Sequence, residues 1–383
     1  MSAPWPCPEA PKGELVTVGP VDAPPAAGRA AVAGANGVAR PADGALLGGA
    51  PGASGPEAEG AASVPSFFAV VAADLAAVEA AIRATAAVDH ALLQQTLGLI
   101  LSASGKRLRP ALVLLAARLH ETSLRRRVDL ACAAELLHTA TLIHDDVLDV
   151  AAARRGQPTI NAAFSNTLAV LTGDYLFGKS GELVAGLGSP AIMGVFSWAV
   201  MEVVRGEMLR PSLDAGLAAT ERAYLAKIRG KTAALFAMCC QTGAMLDADD
   251  PILAARLRDY GLHLGMAFQI VDDVLDYTAT EAQLGKPVGS DLRRGTITLP
   301  ALYYLRDHPH DTLVRGLLTG EAAGPQRAAA AVQAIRGSGA IAAALARART
   351  YAAAAAALLE RLPRSPYVAA LDDLACYVVE RSE

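Results

Sequence analysis

From Ser63 onward, apolar residues recur at three- and four-residue steps. Phe67, Val70, Val71, Leu75, Val78 and Ile82 trace one such stripe, the spacing of a single buried helix face. Comparable stripes run through residues 108–119, 128–150, 167–187, 192–209, 224–245, 252–277, 341–362 and 367–379. Alanine fills many of these positions, which favours helix and lets helices pack closely. No run of β-branched residues bounded by turn residues predicts a sheet. Pro and Gly clusters at 105–110, 155–158, 285–289 and 295–300 punctuate the stripes. The pattern predicts one large all-α domain over residues 63–383, a helical bundle.

Composition changes the picture only before that point. Residues 1–62 hold ten of the 22 prolines and eleven of the 34 glycines, without helical periodicity. Such a segment buries too little apolar surface to offset its ordering entropy, so a disordered Pro/Gly/Ala-rich tail is expected. Glu9, Glu14, Asp22, Asp43, Glu57 and Glu59, and the lack of an apolar block, argue against a targeting peptide. Lys+Arg 34 against Asp+Glu 38 gives a net charge of −4, which offers no general field for nucleic acid. Five cysteines without a CxxC pair argue against a disulfide scaffold or structural zinc and predict a cytoplasmic protein. The apolar stretch from Ile192 to Val204 is interrupted and short, so no transmembrane helix is expected.

The chemistry lies inside the stripes. Asp145-Asp146-Val147-Leu148-Asp149 recurs letter for letter as Asp272-Asp273-Val274-Leu275-Asp276. Positions i and i+4 share a helix face, so Asp145 and Asp149 point one way, as do Asp272 and Asp276. Like charges one turn apart destabilise a helix unless a cation compensates. Solvated helix ends would be the bland explanation, but each pentad follows a strongly apolar segment rather than a polar face. Carboxylates that leave room for water and phosphate suit magnesium better than zinc or iron. A di-iron bundle would want Glu-x-x-His after the acids, and neither copy has one.

Basic residues near the acids narrow the substrate. Lys106, Arg107 and Arg109 crowd the expected start of a helix, where backbone N–H groups favour an anion. Arg154 and Arg155 follow the first pentad, Lys231-Thr232 is expected to open another helix after a break at Gly230, and Lys286 lies ten residues past Asp276. Singly, each reads as an ordinary surface charge; together with two magnesium-type motifs they point to a pocket for two diphosphates.

Over residues 66–380 the chain resembles the trans-type isoprenyl diphosphate synthases, in their long-chain polyprenyl branch. The motifs that carry the likeness are GKRLRP, LLHTATLIHDDVLDVAAARRGQPT, GDYLF, GKT and FQIVDDVLDYTATEAQLGKPVGSDLRRGTITLP. The resemblance implies an isoprenoid-synthase-type bundle around a central cavity, assembled as a homodimer, with both pentads at the cavity mouth and three Mg²⁺ ions on an allylic diphosphate. It implies that Asp145, Asp149 and Asp272 ligate the ions while Asp146, Asp273 and Asp276 support them. Arg154, Lys231 and Lys286 would clamp the allylic diphosphate. Lys106, Arg109, His138 and Arg155 would hold isopentenyl diphosphate, and Thr232 and Gln269 would present oxygen atoms to the developing cation. His138 lies two turns before Asp145 on the same face, whereas His144 matches no family ligand and reads as structural. One departure stands out: many relatives carry a Gly-Lys pair where this chain has Gly295-Thr296.

Product length should depend on the helix below Asp145. Thr141 and Leu137 lie one and two turns below it, with Ala140 beside Thr141 and Ala134 deeper; short-chain relatives place bulky aromatics at the four- and five-residue offsets, which are Thr141 and Ala140 here. The small residues predict a product of about C30 or longer, in the range of about C35 to C50, for a quinone side chain. Such a product implies peripheral contact with membrane at release. The rivals are a farnesyl or geranylgeranyl synthase, a terpene cyclase (whose second motif reads differently), and one subunit of a two-component synthase. A non-catalytic subunit would lose its aspartates; a catalytic subunit that needs a partner would keep them.

Overall fold

The computed structural model describes residues 66–102, 105–154, 156–280 and 287–381. The expected tail at 1–62 falls outside them, as do Arg155 and Lys286. The chain opens with α1 (Ser66–Ala69), α2 (Ala72–Ala84), α3 (Ala91–Leu101), α4 (Leu108–Ala117) and the long α5 (Leu124–Leu148). A hairpin, β1 (Ala153–Arg154) and β2 (Gln157–Pro158), precedes α6 (Ile160–Ala163), α7 (Asn166–Gly186) and α8 (Pro190–Met208). After a 3-10 turn at Leu213–Ala215, α9 (Leu217–Ile228) runs through a π-helical turn (Arg229–Ala233) into α10 (Ala234–Met245). Then come α11 (Pro251–Thr278), α12 (Ser290–Arg293), α13 (Leu299–Asp307), α14 (Thr312–Thr319), α15 (Pro325–Arg336), α16 (Ala340–Leu359) and α17 (Pro366–Glu380).

The fold is all-α, and each helix predicted from a stripe is present. The two-residue hairpin departs from the expectation of no strand. Gly156, at φ 76°, makes the reversal that lets Arg154 pair with Gln157. α3, α13, α14 and α15 were not marked by a stripe, because they are short or carry alanine where a larger apolar residue would reveal the period.

α10 is the axis of the bundle. Ala234 to Ala244 are buried all round, the mark of a helix packed on every side. It packs against α4, α5, α8 and α11. One apolar cluster joins α4, α5, α7, α10 and the first half of α11. A second gathers the last turns of α11 with α13, α14, α15 and α16. α11 therefore belongs to both, which fixes its C-terminal end relative to α10. At its start, Asp250 accepts hydrogen bonds from the Ile252 and Leu253 N–H groups, with Pro251 in the first turn, a standard way to satisfy orphan donors.

Two ionic staples tie α2 to the neighbourhood of α5. Arg127 grips Asp74 with two N–H donors at 2.7 and 3.1 Å, both groups buried. Arg107 pairs with Glu79 and, at 2.8 Å, with Glu135. Removing one partner of such a buried pair leaves an uncompensated charge, which costs about 3–5 kcal/mol.

Candidate functional site

Both pentads lie where their long helices end. Asp145 and Asp146 occupy the last turn of α5, with Asp149 as its C-cap, and Asp272, Asp273 and Asp276 occupy the last two turns of α11. Helix C-termini carry partial negative charge and unpaired carbonyls, so these aspartates add to a field that already favours cations.

The six carboxylates divide into two groups. Asp149 and Asp272 are 43% and 42% exposed, and Asp145 is 19% exposed. Each of these three faces a cation from a different element. Lys231 lies 3.1 Å from Asp145, Arg294 lies 3.3 Å from Asp149, and Arg381 lies 2.6 Å from Asp272. Asp146, Asp273 and Asp276 are buried, and protein donors take up their oxygens. Arg154 donates twice to one oxygen of Asp146, at 2.9 and 2.8 Å. Tyr224 and Gln269 donate to the two oxygens of Asp273 at 2.7 and 2.8 Å. The Ser290 hydroxyl and Asp291 N–H donate to Asp276 at 2.9 and 3.0 Å, so Asp276 tethers the start of α12 to α11.

Two chains of contacts join these groups into one mouth. Asp149, Arg294, Asp291 and Asp276 link the first pentad to the second through α12. Lys231 reaches Asp145, and the next residue, Thr232, donates to Gln269 at 2.7 Å, whose amide reaches Asp273.

Local backbone geometry aims Lys231. It sits in the π-helical turn rather than at the helix start expected from Gly230. An extra residue in a turn re-aims side chains, and such turns are frequent at functional sites. Gly230 and Gly206 let this turn touch α8 backbone to backbone. A Cβ on Gly230 would come within 2.6 Å of the Glu202 carbonyl, and one on Gly206 within 2.3 Å of the Lys231 nitrogen. That close approach brings Glu207 against Lys231 as a second partner. Burial pushes the Lys231 ammonium down, but Asp145 and Glu207 outweigh it and hold the pKa above its ordinary value. Burial raises Asp145, with Lys231 opposing.

The residues expected on the isopentenyl side are arranged along α4 and α5. Lys106 is exposed just before α4, and Arg109 lies in its first turn with its guanidinium 5.2 Å from the centre of the Phe236 ring. Arg107 does not join them in facing an anion. It adopts φ 47° and turns inward to Glu79 and Glu135, so it anchors the loop. His138 is partly exposed on the same face of α5 as Thr141 and Asp145. A tilted aromatic pair bridges the two sides: Phe236 lies 5.1 Å from Phe268 at an interplanar angle of 44°, and the Arg381 guanidinium lies 3.9 Å over the Phe268 ring. His144 is structural: its ring packs on α7 where Gly173 leaves room, with Nε2 3.3 Å from the Val170 carbonyl.

Sequence reasoning missed Glu207, Tyr224, Arg294 and Arg381. Arg294 lay inside a quoted motif, where only the missing lysine drew notice; the other three carry no local signal. Among the described residues, no three His, Cys, Asp or Glu side chains converge to hold a metal ion by themselves. Oxygen donors in ones and twos fit an ion that completes its shell with water and phosphate.

Asp273 has a measurable consequence. Burial, with Asp291 nearby, pushes its carboxyl from 3.8 up to about 8, although Tyr224 and Gln269 pull the other way. The folded state therefore holds this proton more tightly than the unfolded chain does. Its contribution is greatest at low pH and declines as pH rises from about 4 to about 8, by at most about 1.4 kcal/mol per pH unit. Urea denaturation in chelator-treated buffer should show the wild type losing stability over that window relative to Asp273→Asn. Parallel curves would contradict the assignment.

The sequence pattern of the polyprenyl synthetase family matches residues 90–335. The chain belongs to that family. This polyprenyl synthetase is 41% identical over 316 residues to heptaprenyl diphosphate synthase component 2 of Geobacillus stearothermophilus, covering 82% of this chain and 98% of the relative. It is 37% identical over 313 residues to octaprenyl diphosphate synthase of Escherichia coli K12, covering 82% and 97%. A solved polyprenyl synthase from Caulobacter crescentus CB15, complexed with calcium and isoprenyl diphosphate, superposes with a TM-score of 0.78 at 35% identity, covering 86% of this chain and all of that one. This polyprenyl synthetase is thus a prenyltransferase of the long-chain branch, and the shorter-chain alternative is not favoured.

Proposed function

We propose that this chain extends an allylic diphosphate with isopentenyl diphosphate, by ionisation, 1'-4 condensation and proton loss, to a polyprenyl diphosphate of about C30 or longer. The observation that carries this reading is the division of the carboxylates. Asp145, Asp149 and Asp272 are partly exposed and each faces a cation, whereas Asp273 and Asp276 have both oxygens, and Asp146 one, taken up by protein donors. The first three are suited to divalent ions and the last three to holding them in place. Magnesium suits the all-oxygen donors, and three ions match the likeness noted in the sequence.

When bound, the ions supply positive charge that stabilises the departing pyrophosphate. Lys231, supported by Glu207, adds a fixed cation on the same side, with Arg154 and Lys286 expected beside it. Lys106, Arg109, His138 and Arg155 hold the second diphosphate so that its double bond faces the allylic carbon. The Thr232 hydroxyl and Gln269 carbonyl present oxygen atoms to the developing carbocation, and the apolar walls exclude water that would trap it. The proton leaves to the pyrophosphate.

Two further readings rest on the surface. α7 and α8 expose Val170, Leu171, Phe177, Met201, Val204 and Met208, an apolar face suited to a second copy of the chain in a homodimer. Among the described residues, no single helix is long and apolar enough to cross a membrane. Cys132, Cys239 and Cys240 are free and buried, which supports a cytoplasmic enzyme that meets membrane only to release product.

Purified protein given isopentenyl diphosphate, Mg²⁺ and each of three allylic primers should make long-chain product, sized by chromatography. Products no longer than farnesyl or geranylgeranyl diphosphate would overturn the long-chain assignment. The Geobacillus relative is named as one component of a synthase, which favours a second reading, a catalytic subunit that needs a partner. Elongation only after a second polypeptide is added would establish that reading instead.

A further inference from the structure

We infer that Arg294 is a diphosphate-binding residue that takes over the charge absent at Thr296. The inference rests on the synthase reading above and deepens it. Position 296, a lysine in many relatives, is a neutral threonine here. Two residues earlier the chain offers a longer cation, and the turn between them aims it at the mouth. Gly295, at φ 69°, reverses the backbone, and the Thr296 N–H returns to the Asp291 carbonyl at 2.8 Å. Its neighbour Arg293 donates instead to the Val288 carbonyl.

The guanidinium of Arg294 is held firmly by one terminal nitrogen and lightly by the other. One nitrogen donates to Asp291 at 2.9 Å, and Asp291 is itself pinned through its N–H to buried Asp276. The other reaches across the mouth to Asp149 at 3.3 Å. That second contact joins two half-exposed groups (48% and 43%), and such pairs contribute little. It is the arm that gives way when a stronger counter-ion takes Asp149. The fork keeps further N–H donors in its plane, the geometry that matches phosphate oxygens in pairs. Arg294 thus arrives from the second pentad's side beside a carboxylate of the first, where a diphosphate between the two would lie.

The test is calorimetric titration of the full-length protein with inorganic pyrophosphate in excess MgCl₂, and separately with MgCl₂ alone. Arg294→Gln should weaken pyrophosphate binding by about tenfold without weakening the binding of MgCl₂ alone. Adding Thr296→Lys to that variant should restore most of the loss. Unchanged pyrophosphate affinity in Arg294→Gln would overturn the inference. So would equal weakening of both titrations with no rescue by lysine at 296, because that is the behaviour of a residue which merely positions Asp149. A wild-type protein that binds no pyrophosphate would sink the synthase reading itself, and this inference with it.

Discussion

Replacing Asp145 or Asp272 with alanine is expected to lower kcat for condensation by about a thousandfold while leaving the fold intact. Asp272 is half-exposed and Asp145 has lasting neighbours. Deleting Asp145 leaves Lys231 with Glu207, and deleting Asp272 leaves Arg381 stacked on Phe268 and donating to its carbonyl at 2.9 Å. The Asp145 change strands no buried charge, and after the Asp272 change the 9%-exposed Arg381 keeps its carbonyl and ring partners though not its carboxylate. Asp273→Ala is the informative contrast, since it leaves the buried Tyr224 hydroxyl and the half-buried Gln269 amide without their acceptor. Each orphaned group costs about 1–3 kcal/mol, so activity and stability should fall together. Steady-state kinetics beside urea denaturation separates the two classes. Comparable stability losses in all three variants would refute the division of the carboxylates.

The second large effect concerns product length. Thr141→Phe should shift the main product to about C20 or shorter, because Thr141 lies one turn, about 5.4 Å, below Asp145 on the same face of α5. Its side chain is partly exposed and its hydroxyl donates to the His138 carbonyl at 2.7 Å. Ala140, adjacent in sequence, is 1% exposed and packed in the core. Phe at 140 therefore overpacks the interior at a cost of about 1–3 kcal/mol as well as altering the floor. Radiolabelled chain analysis reads the outcome, and an unchanged product distribution in Thr141→Phe would remove this side of α5 from the floor.

The parts legible in the sequence are those encoded within one helix. The 3.6-residue period of α5 and α11 and the i, i+4 spacing of Asp145 and Asp149 are local, so they could be read before any fold was known. Lys231 could be read as a cation of the site, but the counter-charges of Asp149 and Asp272 could not. Arg294 meets Asp149 across 145 residues and Arg381 meets Asp272 across 109; only the tether of α12 to α11 and the packing of α17 on α11 decide that these arginines face inward. Tyr224 is one more apolar position in a helical stripe until its hydroxyl is seen on Asp273. Arg107 misled in the opposite sense. Three cations in four residues read as one anion site, but a left-handed backbone at 107 turns the middle one into a staple. The π-helical turn at Lys231 was likewise invisible, because Gly230 reads as a helix break although its bare Cα serves contact with Gly206.

The central claim is that Asp145 and Asp149, from one helix, and Asp272, from another, grip divalent ions on a shared diphosphate. Anomalous diffraction from crystals soaked in Mn²⁺ and pyrophosphate tests it directly. The account predicts peaks within ligating distance of these three carboxylates, with pyrophosphate oxygens between them and Arg381 displaced from Asp272. Peaks elsewhere, or none at the pentads while Lys231 and Arg381 keep their aspartates, would contradict it.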